Sequence, residues 1–349
     1  MSIVYHERPG VYSDYTVSGV SLSAGRAKVV ALIGYSEADA GLYVLNDPAD
    51  AASFGESSEL GKMVKLAYQN GAGTMLAYSV GANTLTDYQS AFRTVFQQRT
   101  ASFCAIGSTL ETVQTAFAEA LEEAAEQRGE CIGIVGLSAP SKAALLSRAQ
   151  TLNHERVVLV GPDVYLPGQT QAAGGCMAAA ALAGLLASQT DPALPLNGAS
   201  LAGLDGVTGV FSETEIDALV QGGVTVLERQ GGSVCVLRGV TTRQTGGTDG
   251  DSAYHELTVM TVLDDVIPAI REVLSSRFSR AKNSAMTRGA IRSQVVAELE
   301  GRVEREIIDS YGDVSVQSSQ ADASVCIVSF RFAVTHGLNR IFLTAHISV

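Results

Sequence analysis

The chain lacks the marks of an enzyme, a membrane protein or a disulfide-stapled secreted domain. HExxH, GxxxxGK[ST] and GxSxG are all missing; the nearest approach, Gly250-Asp251-Ser252-Ala253-Tyr254, has no final glycine and sits in a loop rather than at a strand-to-helix elbow. The histidines at 6, 154, 255, 336 and 346 are scattered, and His154-Glu155 has no spaced metal partner. No catalytic, cofactor or metal site is therefore expected. Asp264-Asp265 are adjacent carboxylates that point apart, so the expectation is a helix N-terminal cap before Val266-Ile267-Pro268. Five cysteines, at 104, 131, 176, 235 and 326, form no CxxC, and most lie in apolar runs, which fits reduced core residues. The longest nearly uncharged apolar run, Cys176 to Ala187, falls short of the roughly 20 residues that cross a bilayer and reads as a close-packed buried helix. No basic then apolar leader opens the sequence, so direct membrane insertion is not expected and assembly in the cytoplasm is.

What is present is a long chain of 349 residues, 46% hydrophobic, enough for a large core in two or three domains. Its net charge of −12 argues against a general nucleic-acid partner. One stretch runs against that balance: Arg277, Arg280, Lys282, Arg288 and Arg292 occur with no acidic residue between them. Both ends read as orphan β-strands. Ile341 to Val349 alternates Ile341, Leu343, Ala345, Ile347 and Val349 with Phe342, Thr344, His346 and Ser348, and Ile3, Val4 and Tyr5 precede the turn at Arg8-Pro9-Gly10-Val11-Tyr12. Neither end closes a local hairpin, and unpaired strand edges are either hidden within one fold or used to join chains.

Between the ends, strand-like and helical patterns alternate. Val29 to Gly34, Thr74 to Val80, Cys131 to Leu137 and Arg156 to Gly161 read as buried strands; Gly61 to Gln69, Leu110 to Glu126 and a segment after Ser141 read as helices. That βαβα order predicts a sheet covered by helices. After Gly222 the pattern changes: Val224 to Arg229 and Ser233 to Val240 predict a hairpin turning at Gln230-Gly231-Gly232, and Glu256 to Leu263 reads as a strand. A long helix then carries Ile291, Val295, Leu299, Val303 and Ile307 inward and leaves Glu298, Arg302, Glu304 and Arg305 in water. Ala323 to Thr335 and Ile341 to Val349 read as closing strands around His336-Gly337-Leu338-Asn339.

The order of these pieces resembles the contractile tail sheath family of bacteriophages and related injection machines. Pro9-Gly10-Val11-Tyr12 matches the family's opening, and Val29 to Tyr35 the strand that follows. Phe54-Gly55, Asn70-Gly71-Ala72-Gly73, Ala183-Gly184-Leu185-Leu186-Ala187 with Thr190-Asp191-Pro192, Pro195-Leu196-Asn197, Gly222 to Leu227 and Gly337 to Ile341 follow in register. Each is weak alone, but together they are collinear over nearly the whole chain.

The resemblance implies an α/β outer domain, distantly subtilisin-like, over residues 25–225; an α+β C-terminal inner domain over 226–340; and extended N- and C-terminal β-strand arms over 1–24 and 341–349. It implies a structural, non-enzymatic subunit that stacks as hexameric rings around a tail tube, with baseplate and tail terminator proteins as further partners. Ile3, Val4, Tyr5, Val11, Tyr12, Ile341, Phe342, Leu343, Ile347 and Val349 become the strands that link subunits. Arg277, Arg280, Lys282 and Arg288 become a tube-facing basic segment, and Gly19 and Gly337 candidate hinges. An oligomerising α/β enzyme or ligand-binding module is the alternative.

Overall fold

The structure, a computed structural model, describes residues 28–55, 57–244 and 251–339. Strand β1 (Val29–Tyr35) is followed by β2 (Gly41–Leu45), helix α1 (Glu59–Gln69), β3 (Met75–Val80), α2 (Leu85–Gln97), β4 (Ala101–Ile106), α3 (Glu111–Glu126), β5 (Ile132–Gly136), α4 (Lys142–Leu152) and β6 (Val157–Gly161). The chain continues through β7 (Val164–Tyr165), α5 (Gly174–Ser188), β8 (Ser200–Leu201), β9 (Gly206–Val207), α6 (Glu213–Gln221), β10 (Val224–Gln230) and β11 (Ser233–Val236). It then runs into α7 (Leu257–Phe278), α8 (Ala285–Val303), β12 (Ile308–Ser318) and β13 (Cys326–Val334). A nine-stranded sheet in the order β2-β3-β1-β4-β5-β6-β10-β11-β8 forms the centre, parallel from β3 to β10 and antiparallel at both margins.

The period-two pattern sets its two faces. On β1, Val30 and Leu32 join a core built on α1 and α5, while Ala31 and Ile33 join the opposite core built on α2, α3 and α4. Helix α5 is buried on nearly every side, as its small apolar residues imply. Gly184 makes the closest approach: a Cβ there would lie 2.3 Å from the Ala67 carbonyl oxygen of α1, so only glycine lets these helices cross so tightly. The cysteines are free, four of them buried and Cys326 half-buried.

A third core joins α7, α8, β12 and β13 around Val262, Val266, Ile270, Val295 and Leu299. Three expectations are corrected here. Glu256 to Leu263 is not a strand: helix α7 begins at Leu257, because Leu257 and Met260 then pack into the sheet-side core while Val262 and Val266 pack on its other side against α8 and the hairpin. The hairpin at 224–236 does form, with Gly231 and Gly232 at positive φ in its turn, but it extends the large sheet through β6 and so lies with the α/β elements rather than opening the helical part. Strand β12, absent from the pattern reading, follows α8; its residues are mostly polar and only half-buried, so the alternation is faint.

Candidate functional site

The feature that sets this fold apart is the β12–β13 hairpin. Its two strands pair only with each other among the described residues, from Ile308↔Val334 at the base to Ser318↔Cys326 at the tip. On β13, Cys326, Val328, Phe330, Phe332 and Val334 alternate with more exposed Ile327, Ser329, Arg331 and Ala333. Val328, Phe330, Phe332 and Val334 pack toward α8, with Phe330 and Phe332 stacked at 6.2 Å. A two-stranded sheet is marginal by itself, and among the described residues its broad support is α8. Strand β12 is irregular between Gly312 and Ser315, where Asp313 adopts φ 51°, and Arg292 Nε donates to the Val314 carbonyl at 3.0 Å.

The tip is fastened to the turn between α7 and α8. Asn283 Nδ2 donates to the Ala323 carbonyl at 2.7 Å and reaches Ser318 Oγ at 3.2 Å, while its Oδ1 accepts from Arg288 Nη1 at 2.9 Å. Ser284 caps α8 by accepting from the Thr287 amide. The basic stretch therefore divides into two roles. Arg277 donates to Gln294 Oε1 at 2.6 Å, and Arg288 and Arg292 hold the hairpin, so these three serve local structure. Arg280 and Lys282 are exposed on the same turn, and Met286, in the first turn of α8, is 86% exposed.

The residues first read as a cap form something else. Asp264 and Asp265 lie two turns inside α7 and do point apart. Both Asp264 oxygens accept from Arg156 Nη1, at 2.9 and 3.1 Å, joining α7 to the start of β6. Burial works against the Arg156 charge, but Asp264 outweighs it and holds the guanidinium above its ordinary pKa. Asp265 turns to α8, accepting from Arg302 Nε at 3.0 Å, and Arg302 also binds Glu298 Oε2 at 3.0 Å. Glu298 and Arg302 were expected in water; they are 0% and 2% exposed, because the far side of α8 is covered by α7 and each charge there has a partner. Arg271 adds a third tie, to Glu130 Oε1 before β5 at 2.7 Å. Burial raises the Glu130 pKa, but the Arg271 hydrogen bond and charge together bring it below the carboxylate norm. The i,i+4 spacing of Glu298 and Arg302 was visible in sequence. Arg156 and Asp264 are 108 residues apart and carried no such signal.

Of the residues assigned by sequence, Arg277, Arg280, Lys282 and Arg288 are gathered on the α7–α8 turn. Gly337 lies under Pro195, where a Cβ would come within 2.9 Å of the proline Cβ, and Asn339 nearby accepts from Asn197 at 2.8 Å. Ile3, Val4, Tyr5, Val11, Tyr12, Gly19, Ile341, Phe342, Leu343, Ile347 and Val349 lie outside the described residues. No helix among the described residues is long and apolar enough to cross a membrane.

The described residues thus form a mixed α/β sheet layered by helices, with a two-stranded hairpin on a helical pair. Residues 81–242 match the phage tail sheath central domain and 249–348 the phage tail sheath C-terminal domain. The chain belongs to the contractile tail sheath family. It is 28% identical over 219 residues to the tail sheath protein of Bacillus phage SP01, covering 60% of this chain and 36% of that one, so it spans about a third of that relative's length. Its fold is shared with the anti-feeding prophage helical sheath in its contracted state (TM-score 0.75, 16% identity, 98% and 99% of the two chains). It is shared too with the sheath of an extracellular contractile injection system (0.74, 14%, 99% of each) and the sheath tail protein of Desulfitobacterium hafniense (0.71, 14%, 93% and 100%).

Proposed function

We propose that this chain is a structural sheath subunit rather than an enzyme, polymerising as stacked hexameric rings around a tail tube and contracting to drive that tube through a target envelope. One observation carries the reading: the β12–β13 hairpin is an incomplete sheet, with edges that no other described strand covers. Strands supplied by the arms of neighbouring subunits, from Ile3 to Tyr12 and from Ile341 to Val349, complete it by β-augmentation. Each backbone hydrogen bond contributes about 0.5–1.5 kcal/mol net, so one donated strand joins subunits by several kcal/mol.

The three ion-paired ties from α7 support near-rigid movement of the sheet together with the helical pair, so rearrangement falls on the arms, with Gly19 and Gly337 as pivots. For Gly337 that motion must lift the backbone from Pro195. Arg280 and Lys282 present the charge that meets an acidic tube, a contact weakened by salt and therefore breakable. The contraction energy is stored at assembly. Ring assembly takes place in the bacterial cytoplasm, with baseplate and terminator proteins at the two ends, before the particle leaves as a tail or a free injection device.

The test is removal of residues 341–349. The truncated chain is expected to stay soluble and folded, since the nine strands of the large sheet all lie between Val29 and Val236, and to form no tubes in electron micrographs. Normal tubes from the truncated chain would end the strand-exchange reading.

A further inference from the structure

A buried titratable side chain sits where the sheet hands over to α7. His255 closes a short 3-10 turn, Asp251–His255, just before that helix, and is 6% exposed. The chain around it is tied from both sides. The Thr241 amide donates to the His255 carbonyl at 2.9 Å, the Thr241 hydroxyl donates to the Tyr254 carbonyl at 2.7 Å, and Val240 bridges Glu256. The Thr242 amide donates in turn to the Val157 carbonyl of β6 at 2.8 Å, so the 240–242 segment links the sheet to the root of α7.

The two ring nitrogens both face backbone carbonyls. Nδ1 lies 2.8 Å from the Arg243 oxygen, and Nε2 lies 2.9 Å from the Val220 oxygen. A carbonyl only accepts, so making both bonds requires an N–H on each nitrogen, which is the imidazolium. The neutral ring carries one N–H and turns a lone pair toward the other carbonyl, so that bond is lost in a closed space. Val220 belongs to the last turn of α6, whose carbonyl end carries partial negative charge and favours a cation. The other charged or titratable groups on the surrounding elements are Asp217 toward this end of α6, Arg243 itself, the Arg238–Glu256 pair, the Arg156–Asp264 pair, and His154 at 3.9 Å from Glu122.

We propose that His255 is a pH-sensitive latch on the root of α7. Protonation closes the second carbonyl bond and fastens the end of α6, the 241–243 segment and the turn before α7 to one another. Loss of the proton opens one of the two bonds and loosens that joint. Helix α7 shares the third core with α8 and the β12–β13 hairpin, so acidification stiffens the connection between sheet and helical pair, and mild alkali relaxes it. Histidine is the side chain whose ordinary charge change falls between pH 5 and 8. The added bond belongs to the protonated folded state, so its contribution is present at low pH and is lost as pH rises.

Urea unfolding of the unassembled full chain and of His255→Gln, each at pH 5.5 and pH 8, tests the latch. Glutamine offers donor and acceptor atoms, as the neutral ring does, but gains no proton. The four other histidines and the neighbouring ion pairs are common to both chains, so their titration cancels in the comparison. The lead of the wild-type midpoint over the variant's should be larger at pH 5.5 than at pH 8 by roughly 0.5 M, the effect of one charge-assisted bond at the urea slope of a chain this size. A lead that is equal at the two pH values, or larger at pH 8, would overturn the proposal. Nitrogen NMR of the wild-type chain labelled in its histidines gives a readout that needs no variant. At pH 5.5 one ring should show two N–H protons protected from solvent, and at pH 8 that ring should keep one. No ring with two protected N–H protons at pH 5.5 would equally overturn the latch.

Discussion

The joint between α7 and α8 makes a quantitative demand that stability measurements can meet. Arg302 is 2% exposed and lies between Asp265 and the buried Glu298 carboxylate, whose side chain is 1% exposed. Arg302→Met removes the guanidinium that binds Glu298 Oε2 and leaves the Glu298 carboxylate in the same dry space, where Gln294 Nε2 donates to its Oε1 at 3.2 Å. Breaking a buried pair from one side in this way costs about 3–5 kcal/mol, chiefly through the charge left behind. The paired replacement Arg302→Met with Glu298→Met removes the fully buried pair and leaves only the partly exposed Asp265 without its arginine, so its cost should be clearly below that of the single change. Urea unfolding of the unassembled chain, followed by circular dichroism, reads the difference. At a urea slope of about 3 kcal/mol per molar, the single variant's midpoint should fall by roughly 1–1.7 M. The reasoning fails if the double variant is as unstable as the single one, since that would assign the loss to packing around Arg302 rather than to an uncompensated charge.

Three further outcomes follow from the same structure. Gly184→Ala should destabilise the chain by about 1–3 kcal/mol by forcing α5 from the Ala67 carbonyl, and calorimetry showing an unchanged or higher melting temperature would refute the close-approach argument. Burial raises the Glu59 pKa against the opposing Tyr35 backbone bond and Lys62, so the folded state binds its proton more tightly than the unfolded state does. Ionised Glu59 therefore costs stability at neutral pH: Glu59→Gln should raise the urea midpoint at pH 7, and the gain should shrink as pH falls through the raised folded value and vanish below the unfolded value of about 4.3. A gain constant from pH 7 to pH 3.5 would remove protonation as the cause. Arg280→Glu with Lys282→Glu should leave empty tubes assembling normally while preventing extended sheath from forming on a tail tube, and filled extended particles at normal yield would show the turn to be a solvated face.

Local pattern was enough where one face of an element meets one core. The alternation of Val29 to Gly34, the amphipathic Leu110 to Glu126 and the uniformly small apolar residues from Cys176 all form the predicted elements, because burial there depends on a single repeating period. Reading failed where the partner lies far along the chain. Asp264 and Asp265 resembled a cap because nothing in their neighbourhood names Arg156 or Arg302, and Glu256 to Leu263 resembled a strand because its apolar run is too short to separate the two periods. Polar, half-buried β12 gave no periodic signal, since its packing is one-sided. For the candidate site, the acid-free basic stretch was legible as a charge pattern, but its division into residues that hold the hairpin and residues that face outward depends on Asn283, Gln294 and the Val314 carbonyl.

A cryo-electron microscopy map of tubes assembled from the full chain would test the central claim most directly, through what lies along the edges of β12 and β13. The account requires density for strands from other subunits, hydrogen-bonded to the hairpin and continuous with residues 1–24 or 341–349 of those subunits. Tubes in which both hairpin edges face solvent, or in which each subunit's own termini fill them, would contradict it.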